Sequence, residues 1–247
     1  MLAKAAELPA DAVVVDLEDG VAVVDKETAR GNLGGARARG TLAVRINGVR
    51  TPWWRDDLAA AANADVIVVP KVESPDEVAA VAELLGAGVG LEVQIETARG
   101  LVEVERIAAV GHPLEALVFG PGDFAASIGV PVLTIGAGAS EYALARIAVA
   151  ARAFGLQPVD GPYAVLADVE GLLDGARRAL ALGYDGKWVI HPDQIRPVNE
   201  VFTPSAEDAA RARQIVAAAD GASSLRGEMV DAATKKLAES VLARFSP

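Results

Sequence analysis

The sequence contains no cysteine and only two histidines, His112 and His191. Disulfide bridges and thiolate zinc sites are therefore excluded, and too few imidazoles remain for a typical catalytic zinc site. No apolar run approaches the roughly 20 residues that a membrane-spanning helix needs, and residues 1–10 lack the apolar stretch of a signal peptide. We therefore expect a cytoplasmic protein without a membrane partner.

Basic residues are also scarce, with 23 Lys and Arg against 34 Asp and Glu, and the formal net charge is −11. This balance gives no overall attraction to nucleic acid, so no nucleic-acid partner is expected, and any anionic ligand must be held by local cations. By contrast, 52% of the 247 residues are hydrophobic. That composition excludes an intrinsically disordered chain and supplies one large core or two small ones.

Seven short apolar runs, each followed by a polar or charged cluster, alternate with alanine-rich helical stretches. The runs are 12–17, 42–46, 65–69, 91–95, 116–119, 156–159 and 187–190. Nearly continuous apolar runs are typical of parallel strands covered on both faces, so the pattern indicates an α/β fold. A closed barrel is favoured over a doubly wound sheet, because a barrel would collect every one of these polar clusters at one mouth.

The domain prediction is a (β/α)₈ TIM barrel over residues 1–204 that apparently lacks its first strand, followed by a helical extension or lid over 205–247. Only seven strands are found, and the chain begins inside a predicted helix, Leu2–Leu8. Ser74 before Pro75 and Ser205 are expected to cap helices. In the extension, helices are predicted at about 206–219 and 232–244.

Glu96 and Asp123 lie 27 residues apart, each just past the apolar run of its strand. Adjacent parallel strands would place the two carboxylates side by side at the barrel mouth. Two hard oxygen ligands leave most of an octahedral shell for water and substrate, which favours a Mg²⁺ site. The alternative is that each carboxylate caps the helix that follows it.

Asp16, Glu18 and Asp19 crowd the end of the first strand. Strand alternation predicts Asp16 and Glu18 on one face and Asp19 on the other, and one or two of them could hydrogen-bond metal-bound waters. Alternatively, Asp19 and Gly20 form a turn and Glu18 pairs with an arginine. Arg45, in an otherwise apolar strand, requires an anionic partner. That partner is either a substrate carboxylate or Glu18.

Further polar residues are expected at the two ends of the barrel. Lys71 and Arg99 follow strands at the mouth, although Arg99 could equally begin a helix. His191, at the end of the last strand, is a candidate polar contact in the mouth. His112 is expected in a loop on the opposite rim, so the two histidines support no Ser-His-Asp arrangement.

In order and spacing, a series of motifs resembles the citrate lyase β-subunit-like family of the HpcH/HpaI aldolase superfamily. The matching strings are Asp11–Val21 (DAVVVDLEDGV), Val44–Asn47 (VRIN), Pro70–Val78 (PKVESPDEV), Glu96–Gly100 (ETARG), Phe119–Gly129 (FGPGDFAASIG), Lys187–Ile195 (KWVIHPDQI) and Gly227–Ala232 (GEMVDA). They run through almost the whole chain.

The resemblance implies a (β/α)₈ barrel with a C-terminal extension, assembled as a homotrimer or a multiple of it. It implies Mg²⁺ on Glu96 and Asp123 and a substrate contact from Arg45 near the cleaved bond. By the same resemblance, Lys4, Ile190 and His191 would contact a coenzyme A thioester, and Asp231 would reach a neighbouring subunit's mouth as the acid/base. The resemblance thus assigns roles to Arg45, Asp231, Lys4, Glu96, Asp123, Ile190 and His191. Glu18 and Asp19 are the residues of the acidic cluster expected to hydrogen-bond metal-bound water.

The implied activity is a reversible Claisen-type cleavage of a short 3-hydroxyacyl-CoA thioester such as malyl-CoA, citramalyl-CoA or citryl-CoA. The other product would be a small α-keto acid, namely glyoxylate, pyruvate or oxaloacetate. Alternatives are a malyl-CoA thioesterase on the same site, a subunit acting on an acyl-carrier-protein thioester, a metal-dependent pyruvate-type aldolase, and an inactive truncated barrel that acts only in assembly. The family begins with an S-x-L-F-V-P-G strand that helps hold CoA, and no such string is found here.

Overall fold

A computed structural model describes residues 5–131, 140–218, 223–225 and 227–245. The chain divides into two compact units, Met1–Arg196 and Pro197–Pro247. This division falls eight residues before the boundary expected from the sequence, between residues 204 and 205. Each unit is described by itself below.

The first unit is built on a single parallel sheet whose strands follow one another in chain order. Its strands are β1 (Ala12–Asp16), β2 (Thr41–Arg45), β3 (Val66–Val69), β4 (Gly90–Ile95), β5 (Leu114–Phe119), β6 (Gln157–Asp160) and β7 (Gly186–Lys187). In a TIM barrel, each strand pairs with the next one in the chain, whereas in a doubly wound sheet the strand order reverses direction at one point. The observed order is that of a TIM barrel. The predicted strands are thus confirmed, although the last is only two residues long.

Helices follow the strands and cover the outer face of the sheet. They are α1 (Lys26–Asn32), α2 (Trp54–Ala60), α3 (Pro75–Ala82), α4 (Ala98–Val102), α5 (Val104–Ala108), α6 (Pro121–Ser127), α7 (Glu141–Ala153) and α8 (Val169–Ala181). A further helix, α9 (Pro192–Phe202), crosses the division between the two units. The predicted start of α3 is confirmed, because the Ser74 side chain accepts a hydrogen bond from the Glu77 amide and Pro75 occupies the first helical position.

The central strands β2 to β5 are packed on both faces, which explains why most of their residues are apolar. On the inner face, Ala43, Val66 and Val68 form a buried cluster with Val14 and Trp188. Because this cluster joins β1 to the residue after β7, it lies inside the curved sheet. On the outer face, fully buried residues include Val44, Ile67, Val93, Leu117, Val78 and Ile147, and each contributes roughly 1.5–3 kcal/mol to stability.

Glu92 is a charged residue on this inner face. The parallel register aligns it with Val68 on β3 and Ala116 on β5, and it has no hydrogen-bond or ion-pair partner among the described residues. Burial, together with the nearby Glu115 carboxylate, raises the pKa of Glu92 to about 7. The ionised form is therefore disfavoured in the folded protein.

We expect Glu92→Gln to stabilise the protein at pH 8 and to have little effect at pH 5. Because the folded-state pKa exceeds the unfolded one, the folded state binds the extra proton and wild-type stability falls as the pH rises from about 4.5 to 7. A shift of this size corresponds to roughly 3 kcal/mol above pH 7. Chemical denaturation of both proteins at several pH values measures the difference.

Two further variants make this experiment specific. Glu115→Gln removes the second cause of the shift, so it should give a smaller gain in the same direction. Glu83→Gln removes an exposed carboxylate and should leave the pH dependence as in the wild type. A stability difference between Glu92→Gln and the wild type that is the same at pH 5 and pH 8 would show that Glu92 titrates normally in the fold.

After α9, the described residues of the second unit form two helices and a pair of short strands. Helix α10 (Ala206–Ala218) packs against α11 (Ala232–Arg244), and β8 (Ser223–Leu225) pairs antiparallel with β9 (Glu228–Val230). Ser205 caps α10 as expected, since its hydroxyl accepts from the Asp208 amide at 3.1 Å and the Asp208 carboxylate accepts from the Ser205 amide at 3.0 Å. The helices were predicted from the sequence, whereas the pair of strands was not. Throughout the described ranges, no helix combines the length and apolarity needed to cross a membrane.

Candidate active site at the carboxyl ends of the strands

Glu96 and Asp123 lie at the carboxyl ends of neighbouring strands, as predicted. Glu96 directly follows β4, and Asp123 lies in the first turn of α6 after β5. The Glu96 side chain is buried, and its Oε1 accepts a hydrogen bond from the Lys71 amide at 2.8 Å. Its Oε2 accepts none from any described residue. Gly120 leaves the space for this carboxylate, because a Cβ there would collide with Oε2.

The carboxylates do not act as helix caps, so the alternative expected from the sequence is wrong for both. Thr97 caps α4 through its own hydroxyl, which accepts from the Gly100 amide at 2.9 Å. Asp123 lies inside the first turn of α6, and that helix has no side-chain cap. Burial, followed by the charge of Asp123, raises the pKa of Glu96 to about 7. The ionised form of Glu96 is therefore disfavoured beside Asp123 unless a cation is bound.

This donor set fits Mg²⁺. Within the described ranges, no three Asp, Glu, His or Cys side chains converge as a closed metal cage. A pair of hard oxygen donors is instead the open arrangement that Mg²⁺ commonly uses, with water and substrate completing the shell. The unpartnered Oε2 of Glu96 and the exposed side chain of Asp123, which is 41% accessible, are available for coordination. Glu96 and Asp123 are thus the side chains that would hold the ion.

Lys71 lies between these two carboxylates and the acidic end of β1. Its ammonium donates to Glu18 and to Asp19 Oδ2, the latter at 2.7 Å, and lies 3.7 Å from Asp123 Oδ2. Burial alone would lower the pKa of Lys71, but its contacts with Asp19 and Glu18 outweigh that effect and hold the pKa above its usual range. The lysine is therefore charged at neutral pH.

The expected placement of Asp19 on the face opposite Asp16 and Glu18 is wrong, because β1 ends at Asp16 and the following residues turn. The Asp16 carboxylate accepts hydrogen bonds from the amides of Glu18 and Gly20, at 2.8 and 2.9 Å. This turn brings Glu18 and Asp19 to the same ammonium of Lys71. The alternative expectation, a turn at Asp19 and Gly20 with Glu18 near an arginine, is confirmed.

Arg45 on β2 is held by a network of inward-facing acceptors. Its Nε and Nη2 donate to the two oxygens of Asp16 at 2.8 and 2.6 Å, and its Nη1 donates to Gln94 Oε1 at 3.2 Å. The Glu18 carboxylate lies 3.3 Å from Nη1. Burial alone would lower the pKa of Arg45, but Asp16 and Glu18 hold it above its usual range. The salt bridge to Glu18 is thus present, and Asp16 is the main partner.

Sequence reasoning missed Asp16 as the bidentate partner of Arg45, and it missed Gln94 and the central position of Lys71. Gln94 could have been found, because it precedes Glu96 by two residues on one strand and so faces the same side. The pairing of Asp16 with Arg45 would have followed from the parallel register of β1 and β2, which places these two residues side by side. The position of Lys71 depends on a left-handed backbone, φ 55°, that no residue pattern predicts for a lysine.

Two buried polar side chains hold the backbone beneath the acidic turn. Lys26 donates to the carbonyls of Leu17 and Glu18 at 2.7 and 2.8 Å, and Asn47 donates to the Leu17 carbonyl at 2.9 Å. Trp53 stacks against Lys26, with the ammonium 5.4 Å from the ring centroid. A cavity of about 360 Å³ opens next to this turn, between the acidic residues and the loop 47–51.

The residues expected to contact CoA are described in part. Ile190 and His191 follow β7 at the same end of the sheet and are exposed. The Ile190 amide donates to Gln194 Oε1 at 3.0 Å, and His191 Nδ1 accepts from the Asp193 amide at 3.2 Å. Lys4 lies outside the described residues.

Two other expectations concern Arg99 and His112. Arg99 begins α4 and contacts Glu103 at 3.3 Å, so the helical alternative is confirmed. His112 lies in the loop before β5, on the amino-terminal rim of the sheet, as predicted.

Asp231 belongs to the second unit, where it is the N-cap of α11. Its Oδ1 accepts hydrogen bonds from the amides of Ala233 and Thr234 at 3.0 and 2.9 Å, and the Thr234 hydroxyl accepts from the Asp231 amide at 2.7 Å. This is a capping box, and the Thr234 contacts hold the pKa of Asp231 below its usual range. Asp231 is therefore a carboxylate at neutral pH.

Residues 1–192 match a family described as HpcH/HpaI aldolase/citrate lyase, and residues 143–246 match one described as a carbon–carbon bond lyase of the TIM-barrel fold. An L-malyl-CoA/β-methylmalyl-CoA lyase of Cereibacter sphaeroides is 39% identical, over 97% of this chain and 88% of the relative. A (3S)-malyl-CoA thioesterase of the same species is 41% identical, over 88% of this chain and 78% of the relative. The crystal structure of the CitE protein of Mycobacterium tuberculosis with magnesium, acetoacetate and coenzyme A is 35% identical, covering 98% of this chain and 92% of that one, with a TM-score of 0.86.

Proposed function

The chain belongs to the HpcH/HpaI aldolase/citrate lyase family, and on that premise we propose that it is a Mg²⁺-dependent carbon–carbon lyase acting on a short 3-hydroxyacyl-CoA thioester. Malyl-CoA is the first substrate to test, since a 39% identical relative is named for it. Citramalyl-CoA and citryl-CoA are also 3-hydroxyacyl thioesters and come next. The second product would be glyoxylate, pyruvate or oxaloacetate, respectively.

The observation that carries this proposal is the buried carboxylate of Glu96 beside Asp123, with the guanidinium of Arg45 on the same inner face of the sheet. An α-keto acid offers a carbonyl and a carboxylate to a divalent ion, and a thioester enolate needs a nearby positive charge. Glu96 and Asp123 supply the first requirement and Arg45 supplies the second. The site therefore suits a reaction whose products are a keto acid and an acyl thioester.

In the cleavage direction, the 3-hydroxyl of the substrate loses its proton, the bond between C2 and C3 breaks, and C2 takes up a proton to give the shortened acyl-CoA. Mg²⁺ bound by Glu96 and Asp123 would polarise the oxygen that becomes the keto-acid carbonyl. Arg45 stabilises the negative charge that develops on the thioester oxygen. Asp231 is a carboxylate at neutral pH and transfers the proton.

The other assignments rest on the family resemblance, except that of Glu18 and Asp19, which rests on their position near the two carboxylates. Ile190 and His191 would contact the CoA thioester together with Lys4, while Glu18 and Asp19 would hydrogen-bond water bound to the metal. Asp231 would act in a neighbouring subunit's site, within a cytoplasmic homotrimer. Under this proposal, the extension 205–247 serves as a lid over the partner's mouth.

The reaction is tested by incubating the protein with malyl-CoA in the presence of Mg²⁺ or EDTA and separating the products by chromatography. We expect acetyl-CoA and glyoxylate in equal amounts with Mg²⁺ and none with EDTA. The same assay with citramalyl-CoA and citryl-CoA identifies the preferred acyl group. Failure to cleave any of the three thioesters would contradict the proposal.

A thioesterase is the second candidate, because a 41% identical relative is named for that activity. It would release free CoA and malate from malyl-CoA without acetyl-CoA. The same chromatogram therefore separates the two activities. Cleavage of a free hydroxy-keto acid without any thioester would instead identify a pyruvate-type aldolase, and stable oligomers without turnover would identify an assembly protein.

A further inference from the structure

Lys71 is the one described residue that contacts both pairs of carboxylates at the site, Glu96 with Asp123 and Glu18 with Asp19. Its amide donates to Glu96 Oε1 at 2.8 Å, and its ammonium donates to Glu18 and Asp19 and lies 3.7 Å from Asp123. Four carboxylates thus lie against one residue, one at its amide and three at its ammonium. Two of them, Glu96 and Asp123, are the ligands assigned above, and the other two are not.

The backbone of Lys71 is strained in a way that makes these contacts possible. Its φ of 55° lies in the left-handed region, which costs a non-glycine residue free energy and is retained where the surroundings enforce it. Arg50 holds this conformation, because its Nη2 donates to the Lys71 carbonyl at 2.9 Å while its Nη1 pairs with Glu73 and Glu77. In this conformation the amide points to Glu96 and the ammonium to the acidic turn.

We propose that Lys71 is a positioning residue that keeps Glu18 and Asp19 off the metal, so that the ion is held by two carboxylates rather than four. Glu18 is buried and faces the same ammonium as the exposed Asp19. An octahedral ion held by two monodentate carboxylates retains four positions for substrate and water. Four carboxylates would leave two, and would neutralise the charge that must polarise the substrate. This inference rests on the metal site of the proposed function.

The test is Mn²⁺ binding to Lys71→Met, followed by electron paramagnetic resonance and by calorimetry. Loss of the ammonium frees Glu18 and Asp19 for the ion, so we expect Mn²⁺ to bind at least tenfold more tightly or a second Mn²⁺ to bind. We also expect pyruvate, titrated into the Mn²⁺-saturated variant, to bind at least tenfold more weakly than to the wild type. Neither readout depends on turnover.

Three further variants make the result interpretable. Lys71→Gly removes the same ammonium but adopts a positive φ without strain, so it tests the proposal even if the Met variant does not fold. Lys71→Arg keeps a cation and should bind Mn²⁺ as the wild type does. Arg177→Met removes one positive charge from an exposed ion pair with Asp174 on α8 and should also leave Mn²⁺ binding unchanged.

Wild-type or weaker Mn²⁺ affinity with a single ion in both Lys71→Met and Lys71→Gly would overturn the proposal, because Lys71 would then not compete for Glu18 and Asp19. Unchanged pyruvate affinity despite tighter Mn²⁺ binding would overturn it as well. If the wild type itself binds no Mn²⁺, the metal site of the proposed function fails. Failure of the metal site is therefore distinguishable from failure of the Lys71 proposal, in which the wild type binds Mn²⁺ and the Lys71 variants bind it equally well.

Discussion

Replacing Glu96 with Gln, or Asp123 with Asn, should abolish the Mg²⁺-induced rise in melting temperature and lower lyase turnover by on the order of 10³-fold. Each change removes one of the two carboxylates available to the ion. A ligand at about 100 times its dissociation constant stabilises the folded state by about 2.7 kcal/mol. For a chain of this size, that corresponds to a rise of roughly 5–10 °C.

The measurement is a thermal melt with and without Mg²⁺, alongside the malyl-CoA assay. Without the ion, Glu96→Gln should melt no lower than the wild type, because a neutral amide is easier to bury than a carboxylate. Glu92→Gln is the matched control, since it is the same substitution within β4, four residues before Glu96 and outside the metal site, and it should keep the full Mg²⁺ response. If Glu96→Gln and Asp123→Asn kept that response, these two residues would not be the ligands of the ion.

The second large effect is expected at Asp231, where Asn should lower kcat by roughly 10²–10⁴-fold without lowering stability. Asp231 has two roles here, because it caps α11 and is proposed to transfer the proton. Asn is as good an N-cap as Asp, so the substitution separates the two roles. Steady-state kinetics with malyl-CoA and a thermal melt measure them independently.

Thr234→Val is the matched structural control. It removes the hydroxyl half of the capping box but leaves the carboxylate, so we expect a loss of stability of about 1 kcal/mol and nearly full turnover. If Asp231→Asn kept more than half of the wild-type kcat, Asp231 would be a helix cap and not the acid/base.

The same variant tests whether Asp231 acts across subunits. Co-expression of Asp231→Asn with Glu96→Gln, each inactive by itself, should restore part of the turnover if a mixed oligomer combines one chain's Glu96 with another chain's Asp231. Size-exclusion chromatography of the mixture gives the oligomeric state. No recovery in a mixed oligomer would show that each chain uses its own Asp231.

Glu96, Asp123 and the strands before them could be predicted from the sequence, since nearly continuous apolar runs followed by polar residues are local patterns. The order of the strands makes their carboxyl ends neighbours. The family resemblance could be recognised for the same reason, because its motifs are short strings in a fixed order. The same holds for the caps at Ser74 and Ser205, which depend on side chains within four residues of one another.

The partners of charged side chains could not be predicted, because they come from residues far apart in the chain. Arg45 was expected to meet a substrate carboxylate or Glu18, yet the folded chain gives it both oxygens of Asp16, 29 residues earlier. Strand alternation places Glu92 on the same face as Gln94 and Glu96, but only the packing of the folded sheet buries that face, and burial raises the pKa of Glu92.

The sequence by itself thus determined the class of fold and the two carboxylates at its mouth, because both follow from local patterns of apolar and polar residues. The tertiary structure decided which charged side chains pair with one another. A lysine with a left-handed backbone is held by Arg50 and contacts acidic residues more than 50 positions away. Such contacts exist only after the ends of β1, β3, β4 and β5 have been brought together at one end of the sheet.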